Sequence, residues 1–122
     1  MIIAVDFDGT IVEHKFPDIG KEIPNAFKVL KLLKADGHIL ILWTYRAGEE
    51  LQKAVKYCKR NGLEFHAINK NSDDEDFDFT YSRKIYADIY IDDRNLLGLP
   101  DWNTIHKIVK DMTEKVMNHN MY

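Results

Sequence analysis

Short apolar runs alternate along the chain with longer stretches in which apolar residues recur every three or four positions. Four of these runs predict strands, at residues 2–5, 39–43, 65–68 and 85–91. They are largely continuous rather than alternating with polar residues, which is typical of strands buried on both faces of a parallel sheet. The pattern therefore indicates a sheet in the interior of the protein.

Three helices are predicted between and after these runs. The first begins at Pro24, a residue that suits the first helical position, and ends before Gly37. The second extends from about Glu49 to Arg60, because acidic residues begin it and basic residues end it, as the helix dipole favours. The third begins near Asp101 and has an apolar stripe on one face.

The order of elements is therefore strand, helix, strand, helix, strand, loop, strand, helix. Alternation of this kind is typical of right-handed β-α-β units and a parallel sheet. We predict a three-layer α/β/α, Rossmann-like fold with a mostly parallel central sheet, in one domain that spans residues 1–122. In such folds, ligands bind beyond the carboxyl ends of the strands.

Composition supports a single folded domain and limits the kinds of partner. Of the 122 residues, 45% are hydrophobic and 30% are charged, which is enough for a buried core. The net charge is −3, and five acids lie within residues 73–78, in a polar stretch that we interpret as a solvated loop. The remainder is mildly basic, so a small anionic substrate would not be repelled, whereas a nucleic-acid partner is not expected.

The sequence also bears on location. No apolar run approaches the roughly 20 residues needed to span a bilayer, and the first predicted strand follows Met1 at once, without a leader segment. The single cysteine, Cys58, excludes an internal disulfide and a metal site made of several cysteines. We therefore expect a cytoplasmic protein with no membrane partner.

Acidic and hydroxyl side chains follow three of the predicted strands. Residues 6–10, Asp-Phe-Asp-Gly-Thr, come directly after the first strand, Thr44 follows the second, and Asp92 and Asp93 follow the fourth. Residues 6–10 by themselves could be a solvated turn, since turns favour Asp and Gly. However, the carboxyl ends of parallel strands meet at one edge, where grouped carboxylates repel one another unless a cation lies among them. Such oxygen ligands suit Mg²⁺.

These motifs resemble those of the haloacid dehalogenase superfamily, in its phosphatase branch. The resemblance covers most of the chain, and its four motifs stand in the family's order at residues 6–10, Thr44, Lys84 and Asp92-Asp93. It implies hydrolysis of a phosphate ester rather than cleavage of a carbon–halogen bond. An ester's leaving oxygen needs a proton, which Asp8 could supply, whereas a leaving halide needs none.

The resemblance implies a catalytic role for each motif. Asp6 would be the nucleophile that attacks phosphorus and forms an aspartyl-phosphate. Asp8 would protonate the leaving oxygen and then take a proton from the attacking water. Thr44 would donate a hydrogen bond to a phosphoryl oxygen, and Lys84 would hold the phosphoryl group by its charge. Lys70, just after the third strand, is the alternative to Lys84.

The resemblance also implies a bound Mg²⁺ and a set of substrate contacts. Asp6, the backbone carbonyl of Asp8, and Asp92 or Asp93 would hold the metal, with the choice between the last two left open. Substrate contacts are expected from residues within or just after the motifs: Gly9, Thr44, Tyr45, Arg46 and Arg94. For each of the two arginines, a structural ion pair is the alternative.

The chain has little room for a cap domain over the site. The predicted helix and strand leave residues 11–23, enough for a flap, and the other insertion point offers only the polar loop 69–83. An open site suits a macromolecular substrate, or a small one enclosed by a neighbouring subunit. We expect a small phosphorylated sugar or related metabolite, with a homo-oligomer covering the site, because nothing in the sequence resembles a surface for docking macromolecules.

Two other classes of function fit the sequence less well than a phosphatase does. A signalling receiver domain would have its acidic pair after the first strand and its threonine after the fourth, an order that this chain does not follow. A non-catalytic phosphate-binding relative would be expected to have lost motif side chains, yet all of them are present. The sequence therefore favours a Mg²⁺-dependent phosphatase.

Overall fold

The computed structural model describes residues 1–72 and 82–120, with side chains described as far as residue 116. The acidic cluster at 73–78 lies outside the described residues. The elements in chain order are β1 (Ile2–Val5), α1 (Ala26–Ala35), β2 (Ile39–Leu42), α2 (Gly48–Arg60), β3 (Ala67–Ile68), β4 (Ile89–Ile91) and α3 (Trp102–Asn120). Within these described ranges, no helix has the length and apolar character that would let it cross a membrane.

The four strands form one parallel sheet in the order β3-β2-β1-β4. Ile3 pairs with Leu40 of β2 on one side and with Ile89 of β4 on the other. The α/β class and the parallel sheet predicted from the sequence are confirmed. The chain builds outward from β1 through β2 and β3, then returns to place β4 on the other side of β1. Strand order therefore reverses beside β1, where ligands bind in folds of this class.

The two faces of the sheet are covered differently. Ile3, Val5, Leu40 and Leu42 point to one face and share a single core with buried residues from all three helices, among them Phe27, Leu30, Leu33, Ala54, Cys58, Trp102, Ile105 and Val109. The opposite face, with Ala4 and Ile41, packs against Ile85 in a smaller cluster. Along the described parts of the chain, this second face is covered by the non-helical segment around Ile85 rather than by a helix.

Strand β4 is shorter than the sequence predicts: it begins at Ile89, although the Asp88 N–H still donates to the Ile2 carbonyl of β1 at 2.8 Å. The side chain of Asn71 binds both backbone groups of Tyr86, with its Oδ1 accepting from the Tyr86 N–H at 2.9 Å and its Nδ2 donating to the Tyr86 carbonyl at 2.7 Å. These bonds occupy groups that a neighbouring strand would otherwise use. The apolar pattern of residues 85–91 carries no signal of this side-chain pairing.

Helix α1 also begins later than predicted. Asn25 has a left-handed backbone (φ 69°), so Pro24 lies in a turn before the helix and not at its first position. The carboxylate of Glu22 accepts from the backbone N–H of Phe27 at 3.2 Å, which satisfies one of the unpaired donors in the first turn. The helix start is therefore defined by a side chain upstream of the turn.

Residues 11–23 form a hairpin-like flap beside the carboxyl edge of the sheet. Its base is closed by two backbone hydrogen bonds, from Glu13 N–H to the Lys21 carbonyl and from Ile23 N–H to the Ile11 carbonyl, both 2.8 Å. Gly20 fits here because a Cβ at this position would lie 2.2 Å from the Glu13 carbonyl oxygen. The flap predicted from chain length is thus a defined structure with a closely packed base.

Candidate active site

Three carboxylates meet where β1 and β4 end. Asp6 directly follows β1, and Asp92 and Asp93 directly follow β4, its neighbour in the sheet. The Asp6 N–H donates to the Ile91 carbonyl at 3.0 Å, which continues the β1–β4 pairing into the site. One oxygen from each of the three carboxylates lies within 4.8 Å of the other two. The sheet therefore groups these acids as the sequence predicts.

Thr10, in the loop after β1, contacts both Asp6 and Asp93. The hydroxyl of Thr10, which is fully buried, accepts from the Asp93 N–H at 3.1 Å and lies 3.4 Å from oxygens of both Asp6 and Asp93. Trp102 donates from its indole N–H to the Thr10 carbonyl at 2.9 Å. Gly9 has φ +82°, which favours glycine, and a Cβ there would lie 2.3 Å from Asp93 Oδ2, so any side chain would displace this carboxylate.

Burial and charge repulsion act together on Asp6. Burial, with the nearby charges of Asp92 and Asp93, raises the pKa of Asp6 to about 7, although a hydrogen bond from the Phe7 N–H opposes the shift. An ionised Asp6 is therefore costly here unless a cation compensates it. An all-carboxylate donor set with oxygens this close fits Mg²⁺, which is commonly held by a few carboxylates and several waters. The residues present thus suit the metal that the sequence predicts.

Asp8 is held by a bidentate salt bridge with Arg46. The guanidinium donates from Nε to Asp8 Oδ2 at 2.7 Å and from Nη2 to Asp8 Oδ1 at 2.8 Å. The side chain of Arg46 is completely buried, whereas that of Asp8 keeps a small exposed fraction. Two parallel charge-assisted bonds of this kind fix the plane of the carboxylate as well as its position.

The other donors of Arg46 bind backbone carbonyls. Nη1 donates to Pro17 at 3.2 Å and to Glu50 at 3.3 Å, and Nη2 donates to Asp18 at 2.7 Å. With the two bonds to Asp8, all five guanidinium N–H groups are satisfied within the chain. Arg46 therefore has no N–H group left to donate to substrate in this conformation. The structural ion pair, which the sequence left as the alternative, describes the residue better than the expected substrate contact.

Thr44 is oriented by its own turn and by the end of β3. Its hydroxyl accepts from the Arg46 N–H at 3.1 Å, and its backbone N–H donates to Asn69 Oδ1 at 2.8 Å. Asn69 directly follows β3 and adopts a left-handed backbone (φ 56°). These bonds leave the hydroxyl proton of Thr44 available to a ligand, as a contact with a phosphoryl oxygen requires.

A cavity of about 570 Å³ opens over these residues. It is lined by residues from the strand ends and the flap: Asp6, Asp8, His14, Phe16, Trp43, Thr44, Tyr45, Arg46, Asp92 and Arg94. Tyr45 is 95% exposed and Phe16 about half exposed, although both line the cavity. The mouth therefore presents aromatic faces, with Arg94 as an exposed cation beside Asp92.

The structure brings most of the predicted site residues together. Asp6, Asp8, Thr44, Tyr45, Arg94 and Asp92 line the cavity, while Asp93 and Gly9 lie against each other beside it. Lys84 is placed elsewhere, with its ammonium 5.2 Å from the centre of the Tyr90 ring. Among the residues that the structure describes, neither Lys84 nor Lys70 lines the cavity. The catalytic role implied for a lysine remains a prediction.

Sequence reasoning missed five residues of the site, among them Trp43, which was predicted only as part of the second strand and lines the cavity. Thr10 belongs to the first motif but was given no role. Asn69 directly follows β3, so the expectation that polar residues after parallel strands meet at one edge would have found it. His14 and Phe16 reach the cavity from the flap. No local pattern indicates this, because their position depends on how the flap folds back over the sheet edge.

Comparison with known proteins identifies a relative. The chain is similar to the solved structure of a conserved protein coded by a locus from Bacteroides thetaiotaomicron, with a TM-score of 0.87 and 52% sequence identity over 92% of this chain and 91% of that one. The chain therefore belongs to the same protein family as that Bacteroides protein. No protein-family model and no curated protein matches the sequence.

Proposed function

We propose that this chain is a Mg²⁺-dependent phosphohydrolase of the haloacid dehalogenase type, which cleaves a phosphate monoester through an aspartyl-phosphate. The observation that carries the proposal is the meeting of Asp6, Asp92 and Asp93, with oxygens within 4.8 Å, at the edge of a cavity that Asp8 and Thr44 also line. Each of these residue types has a part in phosphoryl transfer, and they meet where folds of this class bind ligands.

Asp6 is assigned as the nucleophile. A carboxylate oxygen of Asp6 forms a bond to phosphorus while the bond from phosphorus to the ester oxygen breaks. Asp8 gives a proton to the departing oxygen, and the alcohol leaves. Water then attacks the phosphorus, Asp8 takes a proton from that water, and the bond from phosphorus to Asp6 breaks to release inorganic phosphate. Both steps use the same two carboxyl groups and return them to their starting state.

Asp6, Asp92 and Asp93 would hold Mg²⁺, together with the backbone carbonyl of Asp8. When bound, the ion would neutralise charge on the phosphoryl group, so that a carboxylate can approach a dianion. The raised pKa of Asp6 supports this assignment, because the acid is costly to ionise without a compensating cation. Thr44 would donate its hydroxyl proton to a phosphoryl oxygen, and Arg94 supplies an exposed positive charge at the mouth.

The substrate is proposed to be a small phosphorylated sugar or related metabolite. A cavity of about 570 Å³ is in the range of small-molecule sites. The aromatic faces of Trp43, Tyr45 and Phe16 could pack against a ring, with the phosphoryl group directed at Asp6. A macromolecular ester is the alternative. A second subunit over the open mouth and a cytoplasmic location both stay predictions.

Phosphate release from p-nitrophenyl phosphate and a panel of sugar phosphates, with Mg²⁺ and with EDTA, tests the proposal. Wild-type activity should require Mg²⁺ and should fall to background in Asp6→Asn, because the amide cannot attack phosphorus. Asp111→Asn is the matched control, since this exposed carboxylate of α3 lies outside the site. It should keep wild-type activity.

A second measurement tests the intermediate. In Asp8→Asn, p-nitrophenyl phosphate should still phosphorylate Asp6, because its leaving group needs little protonation, but release of phosphate should be slow. Mass spectrometry of the acid-quenched protein should then find a phosphoryl group on the peptide that holds Asp6. If the wild type hydrolyses no ester with Mg²⁺, or does so equally well in EDTA, the proposal is wrong.

A further inference from the structure

Arg46 connects three separate segments of the chain through one buried guanidinium. It binds Asp8 in the loop after β1, the carbonyls of Pro17 and Asp18 in the flap, and the Glu50 carbonyl in the first turn of α2. Its side chain is 0% exposed, yet one of its partners lines the cavity. Arg46 is itself among the lining residues, but its side chain is buried and its five donors are used within the chain, so its charge acts on Asp8.

Packing around the guanidinium is as specific as its hydrogen bonds. Its central carbon lies 5.1 Å from the centre of the Phe7 ring and 5.2 Å from that of the Phe16 ring, so aromatic rings contact it from the motif loop and from the flap. A lysine could supply the charge but not the planar fork or the five donors. The surroundings thus require an arginine in particular.

We propose that Arg46 is a positioning residue that fixes the carboxyl group of Asp8 and the position of the flap as one unit. This inference rests on the proposed function, in which Asp8 is the general acid. A general acid works only within hydrogen-bond reach of the leaving oxygen and in the right orientation. Arg46 sets that orientation through the bidentate pair, and the same guanidinium anchors the part of the flap that borders the cavity.

The coupling has a consequence for catalysis. If Arg46 acts through Asp8, its loss should matter most for substrates whose leaving oxygen needs a proton. Arg46→Lys should slow the phosphorylation step by about 10- to 100-fold for alkyl phosphates, part of the 10²–10⁴-fold that general acids contribute. It should slow the burst of p-nitrophenol from p-nitrophenyl phosphate by less than about threefold, although phosphate release slows with both substrates because Asp8 also serves as the base. A purely structural role would slow the phosphorylation step equally with both substrates. Arg60→Lys, an exposed arginine at the end of α2, is the matched control.

A double-mutant cycle separates action through Asp8 from independent effects. In an Asp8→Asn background, Arg46→Lys should cause little further loss with alkyl phosphates, because the group it positions is already gone. In Arg46→Ala, added guanidinium should restore part of the alkyl phosphatase activity if the site still folds. Equal slowing of the phosphorylation step with both leaving-group classes, or full additivity in the cycle, would overturn the catalytic part of the inference.

The flap is tested without catalysis. Trypsin cleavage after Lys15 and Lys21, followed by mass spectrometry, should be faster by about tenfold or more in Arg46→Lys than in the wild type or Arg60→Lys, because roughly 1.4 kcal/mol of lost anchoring changes opening tenfold. Unchanged cleavage would overturn the anchoring part. If the wild type hydrolyses no ester, the proposed function fails and the catalytic part falls with it, while the anchoring part still stands or falls on cleavage.

Discussion

Replacing Gly9 by alanine tests whether Asp93 belongs to the proposed Mg²⁺ site. The new Cβ would lie 2.3 Å from Asp93 Oδ2 and 2.7 Å from its Cγ, so the carboxylate must move by about 1.1 Å to reach ordinary van der Waals contact at 3.4 Å. Movement of this size pulls Asp93 away from Thr10 and from the cluster with Asp6. Gly9→Ala should therefore weaken Mg²⁺ binding without removing any carboxylate.

Gly37 provides the matched control for the backbone strain. Both glycines have positive φ, +82° for Gly9 and +94° for Gly37, but nothing lies within 4 Å of a Cβ at Gly37. Each alanine should cost about 1–2 kcal/mol of strain in the left-handed region. For a chain of this length, 1 kcal/mol lowers Tm by about 3–6 °C. The two variants should thus be destabilised alike in EDTA, apart from the added clash in Gly9→Ala.

The assay is thermal unfolding in EDTA and in a Mg²⁺ series. At a concentration 100 times Kd, binding stabilises the wild type by about 2.7 kcal/mol, and a tenfold weaker site loses about 1.4 kcal/mol of that. Gly37→Ala should keep the full Mg²⁺-dependent rise in Tm, and Gly9→Ala should lose half of it or more. A full rise in Gly9→Ala would refute the assignment of Asp93 as a ligand.

Of three further predictions, two concern the pH dependence of stability and one concerns which lysine acts on the phosphoryl group. Because the pKa of Asp6 is raised to about 7, the metal-free folded protein holds a proton that the unfolded chain releases near 3.8. The free energy of unfolding should therefore fall as pH rises from 3.8 to 7. Urea titrations should show this slope in the wild type and not in Asp6→Asn. Burial lowers the pKa of His38, so its contribution has the opposite sign. Stability should fall as pH drops through about 6.5, and His38→Gln should abolish that loss. Finally, Lys84→Met should reduce kcat by at least about tenfold and more than Lys70→Met, as the loss of an electrostatic contact to the phosphoryl group predicts; the reverse ranking would assign the role to Lys70.

The fold and the acid cluster could be predicted because both follow from local patterns. Asp6 and Asp92 end apolar runs, and the rule that parallel strands share a carboxyl edge is enough to bring them together. The ends of strands and helices were less predictable where they depend on a hydrogen bond from a side chain elsewhere in the sequence. Asn71 binds both backbone groups of Tyr86, which the sequence predicts to lie in β4, and Glu22 with Asn25 moves the start of α1 beyond Pro24.

The role of Arg46 could not be predicted from its position two residues after β2. Its partners come from residue 8, from the flap and from α2, and no pattern in the sequence relates these segments. A surface arginine near a phosphate site and a buried arginine that holds an acid look alike in sequence. Only the burial and the five satisfied donors distinguish them.

The meeting of β1 and β4 also affects how the chain holds together. Only three residue pairs join these strands, yet they connect the beginning of the chain to its last strand, and Thr10 and Asp93 beside them are 83 residues apart. A cation shared by Asp6, Asp92 and Asp93 would join these distant parts of the chain in the folded state, and its binding energy would add to the few contacts that hold β4 on β1. Chelation should therefore loosen β4 first, before β2 and β3 on the other side of β1.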